Sequence, residues 1–347
     1  MDPNLSFRSR NDLISFQIQK RTIPVLLALI GFGVLVLIGG LSVGSTMIHP
    51  IDVIKHLFGL GSGEHAFTID TLRLPRMLLS LLVGAALGVS GLILQSIIRN
   101  PLASPDVIGV TGGASAAAVF FLSYMASERA SSSWLPLAAL AGAGLVSLII
   151  YLLAWKKGVT PMRIVLVGIG MAAAMGALTT FMIVLGPIAT TMKAYIWLTG
   201  SVYGASWEKV YAMLPWLLVF APLALFFTRA VHVQELGDQV AFGLGARVQL
   251  QRCGLLFIGV ALAGSAVAYA GGVGFIGLIA PHIARKLIGR SFAGLVPISA
   301  VIGGLIMALA DIVARTAFLP LDIPAGVFTA GIGAPFFIYL LYKNRYK

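Results

Sequence analysis

Ten apolar runs separated by short polar loops divide the chain, near residues 22–42, 76–97, 105–125, 135–154, 161–184, 210–228, 253–270, 273–288, 294–314 and 324–342. An α-helix needs about 20 apolar residues to cross a hydrocarbon core about 30 Å thick. An unpaired backbone group in lipid costs several kcal/mol, so such runs are expected to fold as helices. The eighth run is the weakest, because Gly272, Gly274, Gly277 and Pro281 interrupt it. It is expected to be bent or only partly embedded.

Composition supports this reading. The mean hydropathy is +0.97, and 59% of residues are hydrophobic against 10% charged, where soluble domains carry about 25% charge. The fold class is therefore an all-α polytopic membrane protein of about ten transmembrane helices. Residues 1–21 form a polar lead and 22–347 a single transmembrane domain, with one long connection at about 229–252. The first apolar run lacks an Ala-x-Ala site and is expected to be a retained helix rather than a cleaved signal.

Charge sorts the loops. With both termini in the cytoplasm, only Lys55, Arg73, Arg76, Arg129, Lys193, Lys209 and Arg315 of the 24 basic residues fall on the far side. The positive-inside rule favours that orientation. The net charge of +12 is spread over many loop ends, which suits anionic headgroups and not nucleic acid. Five spans in each half would place the halves in opposite orientations, the arrangement of an inverted repeat.

Few groups could carry chemistry. The single cysteine, Cys253, excludes an intrachain disulfide and a multi-cysteine metal cage. His282 has no second ligand at metal spacing, and His49, His56, His65 and His232 fall in predicted loops without a Cys, Asp or Glu pattern. No metal site and no catalytic residue are expected. No phosphate-binding Gly-x-x-x-x-Gly-Lys-Ser/Thr loop occurs, so ATP is not bound here by that route. Asp106 starts the third span, while Asp311 and Arg315 lie one turn apart near the end of the ninth, spaced for a local ion pair. Gly84 with Gly88, Gly109 with Gly113, and Gly168, Gly170 and Gly176 have the spacing of closely packed membrane helices.

The connection between the sixth and seventh spans reads as two short helices broken by glycines. Leu236, Val240 and Leu244 give it an apolar stripe with no lipid beside it, suited to docking a cytoplasmic partner.

Several blocks together resemble the permease subunits of FecCD-like ABC importers, the iron-siderophore and vitamin B12 type. They are Arg73-Leu74-Pro75-Arg76; Gln95 with Asn100-Pro101-Leu102-Ala103 and Pro105; Leu236-Gly237-Asp238 with Leu244-Gly245; Gly274-Phe275-Ile276-Gly277-Leu278 with Pro281-His282 and Arg285; Ala310-Asp311 through Arg315; and Pro324-Ala325-Gly326-Val327 with Gly333-Ala334-Pro335. The likeness covers nearly all of the chain beyond residue 20. It implies a BtuC-like bundle of ten helices, a second permease subunit (identical or paralogous), a cytoplasmic ABC ATPase dimer that uses ATP, and an extracytoplasmic substrate-binding protein. It further implies that Arg73, Arg76 and Arg315 meet acidic residues of the binding protein. Leu236, Gly237, Asp238, Val240, Gly243, Leu244 and Gly245 would form the coupling helices seated on the ATPase.

The resemblance also implies residence in the bacterial plasma membrane, no cofactor bound by this chain, and no covalent chemistry. Ferric siderophore is the expected cargo, with cobalamin or haem as the alternative. An ion-coupled secondary transporter is the rival of another class, but it normally carries an ionisable residue near mid-membrane, and none falls at a helix centre. An intramembrane enzyme would need facing nucleophile and base groups, which the sequence does not supply.

Overall fold

The computed structural model describes residues 4–8, 15–61, 63–125 and 131–344. Helices occupy all ten expected places: α1 (Thr22–Ser42), α3 (Leu74–Ile98), α4 (Val110–Phe120), α5 (Leu135–Leu153), α6 (Pro161–Leu185), α8 (Trp207–Phe226), α11 (Val248–Ala270), α12 (Ile276–Ile288), α13 (Phe292–Thr316) and α14 (Ala325–Asn344). Eight helices among the described residues are long and apolar enough to cross a membrane. The expected third and eighth spans fall short of that length. Residues 105–109 turn instead of coiling, with Gly109 at φ +76°, so α4 starts late and runs on as a wide turn to Met125. Residues 271–275 likewise break the chain, and Phe275 sits at φ +67° immediately before α12.

Four short helices complete the set. They are α2 (Pro50–Leu57), α7 (Ile188–Thr199), α9 (Thr228–Glu235) and α10 (Asp238–Gly243). The first two are absent from the hydropathy pattern because they are too short and too polar to register as spans. The N-terminal lead holds an antiparallel hairpin of β1 (Asn4–Arg8) and β2 (Ser15–Gln19), with Phe7 opposite Phe16.

The most enclosed helix is α3, which packs on α13, α11, α12 and α8. Glycines bring it there. A Cβ on Gly84 would strike the Gly303 carbonyl of α13, one on Gly88 the Ser299 carbonyl, and one on Gly91 the Gly277 carbonyl of α12. Such backbone approach is what small residues provide in lipid, where water exclusion drives no helix association. Gly113 meets Gly142 and Val146 of α5, and Gly168 meets Ile108. Gly170 and Gly176, expected to pack in the same way, face open space on α6.

Candidate functional site

Two ionic clusters lie at opposite ends of α3, and a cavity opens beside the turn that follows it. At the start of α3, Arg76 forms a forked contact: Nε donates to both Asp311 carboxylate oxygens at 3.0 Å and Nη2 to Oδ1 at 2.8 Å. Its Nη1 and Nη2 donate to Asp322 at 2.6 and 2.9 Å, and its guanidinium lies 5.8 Å from the centre of the Tyr203 ring. Asp311 is fully buried. Arg315 Nε stands 3.7 Å from Asp311, within ion-pair range but too far for a hydrogen bond.

Of the three arginines expected to meet a binding protein, Arg73 and Arg315 are turned into the bundle. They are 5% and 9% exposed and point inward. Arg73 donates to the Leu41 and Ser42 carbonyls, at 2.6 and 3.1 Å, and to Thr46; Arg315 donates to the Gly40 carbonyl. The last carbonyls of a helix have no intrahelical partner. Two arginines satisfy those of α1 and place positive charge at its negative end. The spacing of Asp311 and Arg315 suggested a local pair, whereas the main partner of Asp311 is Arg76, 235 residues earlier.

At the other end of α3, Arg99 donates to Asp238, which starts α10, and Arg252 of α11 donates to the same carboxylate at 2.9 and 3.1 Å. Arg252 is completely buried and also donates to the Val159 carbonyl between α5 and α6. Burial alone would raise the Asp238 carboxyl, but Arg252 and then Arg99 outweigh it and hold it below the usual carboxylate range. One residue of the expected coupling segment thus joins three elements, α3, α10 and α11.

The remainder of that segment is largely exposed. Gly237, at φ +107°, separates α9 from α10, and Gly245, at φ +76°, follows them. The expected stripe is therefore not continuous on one helix. Leu236, Val240 and Leu244 are nonetheless all exposed, and Phe242 adds a fourth apolar side chain that the spacing did not reveal.

A cavity of about 630 Å³ lies where the α3–α4 turn, the end of α7, the break before α12 and the start of α14 converge. Leu102, Asp106, Thr199, Gly274, Phe275 and Val327 are among its walls. Asp106 accepts from the Thr111 hydroxyl at 2.7 Å. Leu102, Gly274, Phe275 and Val327, all from the motif blocks, line the cavity, while other members build its frame. The Asn100 side chain accepts from the Leu102 amide at 2.9 Å, and Pro105 approaches Gly277. The Gln95 side chain donates to the Gly277 and Leu278 carbonyls and accepts from Arg285. Pro281 is buried within α12, and His282 packs edge-on against Phe336. Gly243 ends α10 with open space around it. His56, expected in a loop without an acidic partner, lies in α2 and contacts Asp70 at 3.0 Å, a pairing formed only by the fold.

A model of the FecCD transport family matches residues 29–343. The chain belongs to the FecCD transport family. The achromobactin transport system permease protein CbrC of Dickeya dadantii is 50% identical over 311 residues, covering 90% of this chain and 89% of that one. A probable siderophore transport system permease, YfhA of Bacillus subtilis, is 47% identical over 333 residues, covering 94% and 96%. The fold matches a solved inward-facing ABC transporter assigned to the metal-chelate type, with a TM-score of 0.81, 28% identity and coverage of 92% and 99%. In this FecCD member the matched region holds both ionic clusters, the cavity and the α9–α10 pair. It is a multi-pass membrane permease of the bacterial ABC class.

Proposed function

We propose that this FecCD permease carries a ferric siderophore across the bacterial plasma membrane, driven by a separate ABC ATPase dimer and fed by an extracytoplasmic binding protein. The observation that carries the reading is the α9–α10 pair. It presents Leu236, Val240, Phe242 and Leu244 to solvent while Asp238 fastens it to α3 and α11. An exposed apolar surface on a rigidly held element is suited to seating a partner. A relative named for achromobactin transport and one named for probable siderophore transport support the cargo. A second permease, identical or paralogous, is supported by the face of α6 where Gly170 and Gly176 lie open and few side chains are buried. The α9–α10 end faces the cytoplasm in this assignment, in keeping with the distribution of basic loops.

Binding-protein docking belongs to the opposite end. Arg76 is its best-placed arginine, because its partner Asp322 is reachable from solvent. Exposed pairs of this kind are worth about 0.2–1 kcal/mol each and serve orientation and encounter more than affinity.

The test is to tag the chain in its native membrane, identify copurifying proteins by mass spectrometry, and measure uptake of a radiolabelled ferric siderophore in proteoliposomes. Recovery of an ABC ATPase with ATP-dependent uptake is expected. Uptake by this chain alone, driven by an ion gradient, would replace the proposal with a secondary transporter.

A further inference from the structure

A second cavity, of about 450 Å³, lies apart from the first, between α5, α6, α8 and α11. Leu140, Gly144, Tyr151, Trp216, Cys253 and Phe257 are among its walls, which are almost wholly apolar. From Leu140 to Tyr151 it follows α5 for roughly 16 Å at 1.5 Å per residue. That is about one leaflet of a 30 Å hydrocarbon core. Length, volume and lining suit a single acyl chain.

The end near Tyr151 has a distinct charge. The loop after α5 carries Lys156 and Lys157, and α6 begins with Arg163 next to Ile164, which lines the cavity. This loop is pinned to α11: the Val159 amide donates to the Gln249 side chain at 2.8 Å, one turn before Cys253. Trp155 packs against Tyr151 with the rings tilted at 50° and their centres 5.7 Å apart. Arg163 donates to the Lys156 carbonyl at 3.1 Å. Both lysines are exposed, and neither has an acidic partner among the described residues. The sequence holds no Asp or Glu from 129 to 207 or from 239 to 310. Asp238, linked to this loop through Arg252, is already held by two arginines.

We propose that this cavity is a binding site for an anionic phospholipid, with one acyl chain between α5 and α11 and the headgroup phosphate against Lys156 and Lys157. A basic rim beside an interhelical groove at one membrane face is the pattern that selects anionic headgroups. A zwitterionic lipid would fill the groove equally well and gain less at the rim. The site lies outside the first cavity and does not depend on the identity of the cargo.

Trp216 reports occupancy directly. The test uses the full-length chain with Trp134, Trp155, Trp197 and Trp207 replaced by Phe, reconstituted with lipids brominated on the acyl chain. Brominated phosphatidylglycerol should reach half-maximal quenching at about a fivefold lower mole fraction than brominated phosphatidylcholine. The double variant Lys156→Gln/Lys157→Gln should bring the two curves together. Gly144→Phe should reduce maximal quenching by both lipids, since a Cβ there meets nothing within 4 Å and the ring can enter the cavity. Superimposed curves for the two lipids before the lysines are changed would overturn the proposal, as would a preference that survives the lysine double variant. If the single-tryptophan protein does not fold, native mass spectrometry of the unaltered chain in an equimolar mixture decides. Retained phosphatidylglycerol that is lost in the double variant supports the site, and retention without headgroup preference refutes it.

Discussion

Arg76 holds two carboxylates in different surroundings, so removing each in turn measures what burial adds to one ion pair. Asp311 is fully buried and accepts three hydrogen bonds from Arg76, while the Asp322 side chain is 27% exposed and accepts two. Asp311→Ala would leave Arg76 and Arg315 in an enclosed space without the anion between them. Breaking a buried pair by deleting one partner costs about 3–5 kcal/mol, because the remaining charge is stranded. Asp322 still holds Arg76 in that variant, so the low end, about 3 kcal/mol, is expected. Asp322→Ala removes a pair nearer solvent and should cost about 1 kcal/mol or less. The assay is reversible unfolding in mixed micelles of rising SDS fraction, followed by tryptophan fluorescence, with Arg76→Met completing a double-mutant cycle. A coupling of at least about 2 kcal/mol for Arg76 with Asp311, against well under 1 for Arg76 with Asp322, is expected. Equal losses, or a larger one for Asp322→Ala, would refute the view that Arg76 braces the bundle through Asp311.

Three further outcomes test other parts of the structure. Gly84→Leu should destabilise the same unfolding transition by about 1–3 kcal/mol, because the new side chain meets backbone of α13 that cannot swing aside, whereas Gly170→Leu, facing open space, should leave the isolated chain's stability unchanged. Gly237→Val places a branched residue at φ +107°, so the α9–α10 turn should distort and ATPase copurification should fall with little loss of folded permease. The Asp238 carboxyl is held below its ordinary value, so its contribution is fully present above the unfolded pKa of about 3.9 and is lost as pH falls through the lower folded value. Hydrogen exchange of the α10 amides, corrected for intrinsic rate, should therefore be flat from pH 8 to 5 and rise only below about 4, while Asp238→Asn should show the rise already at neutral pH.

Helix positions were readable from hydropathy because each long run must satisfy its own backbone in lipid. Helix lengths were less so: α4 and α12 lose their first residues to turns centred on Gly109 and Phe275, and average hydropathy does not distinguish an apolar turn from an apolar helix. The hairpin was legible in principle, since Leu5 and Phe7, then Phe16 and Ile18, alternate with polar residues. Five-residue strands are outweighed by the twenty-residue runs beside them. The paired helices around Gly237 were readable because glycine and apolar spacing act locally. The outer arginines were the hardest case. Their sequence position marked them as exceptional, but a guanidinium directed at solvent and one capping α1 look identical until the chain brings Gly40, Leu41 and Ser42 to them. Pairings over long separations, such as Arg76 with Asp311, leave no periodic signal.

The two clusters gain a common meaning through the helix between them. Over its 25 residues α3 rises roughly 37 Å, from Arg76 in its first turn to Arg99 at its end. Along that length it is locked to neighbours by backbone approach at Gly84, Gly88 and Gly91 and by the Ser90 hydroxyl donating to the Gly259 carbonyl of α11 at 2.7 Å. Asp238 ties α10 to both α3 and α11. Helices packed so closely do not bend separately, because interiors near crystal density yield by rigid-body shift and not by local compression. The helices are interrupted at Gly200 and at Gly271–Phe275, where left-handed backbone turns the chain. The walls of the larger cavity include Thr199, Gly272, Gly274 and Phe275 from these two stretches. If the α9–α10 pair seats an ATPase as proposed, a push on it would enter the bundle through Asp238 and travel as a shift of α3 with the helices locked to it, and a stiff α3 is what such transmission needs.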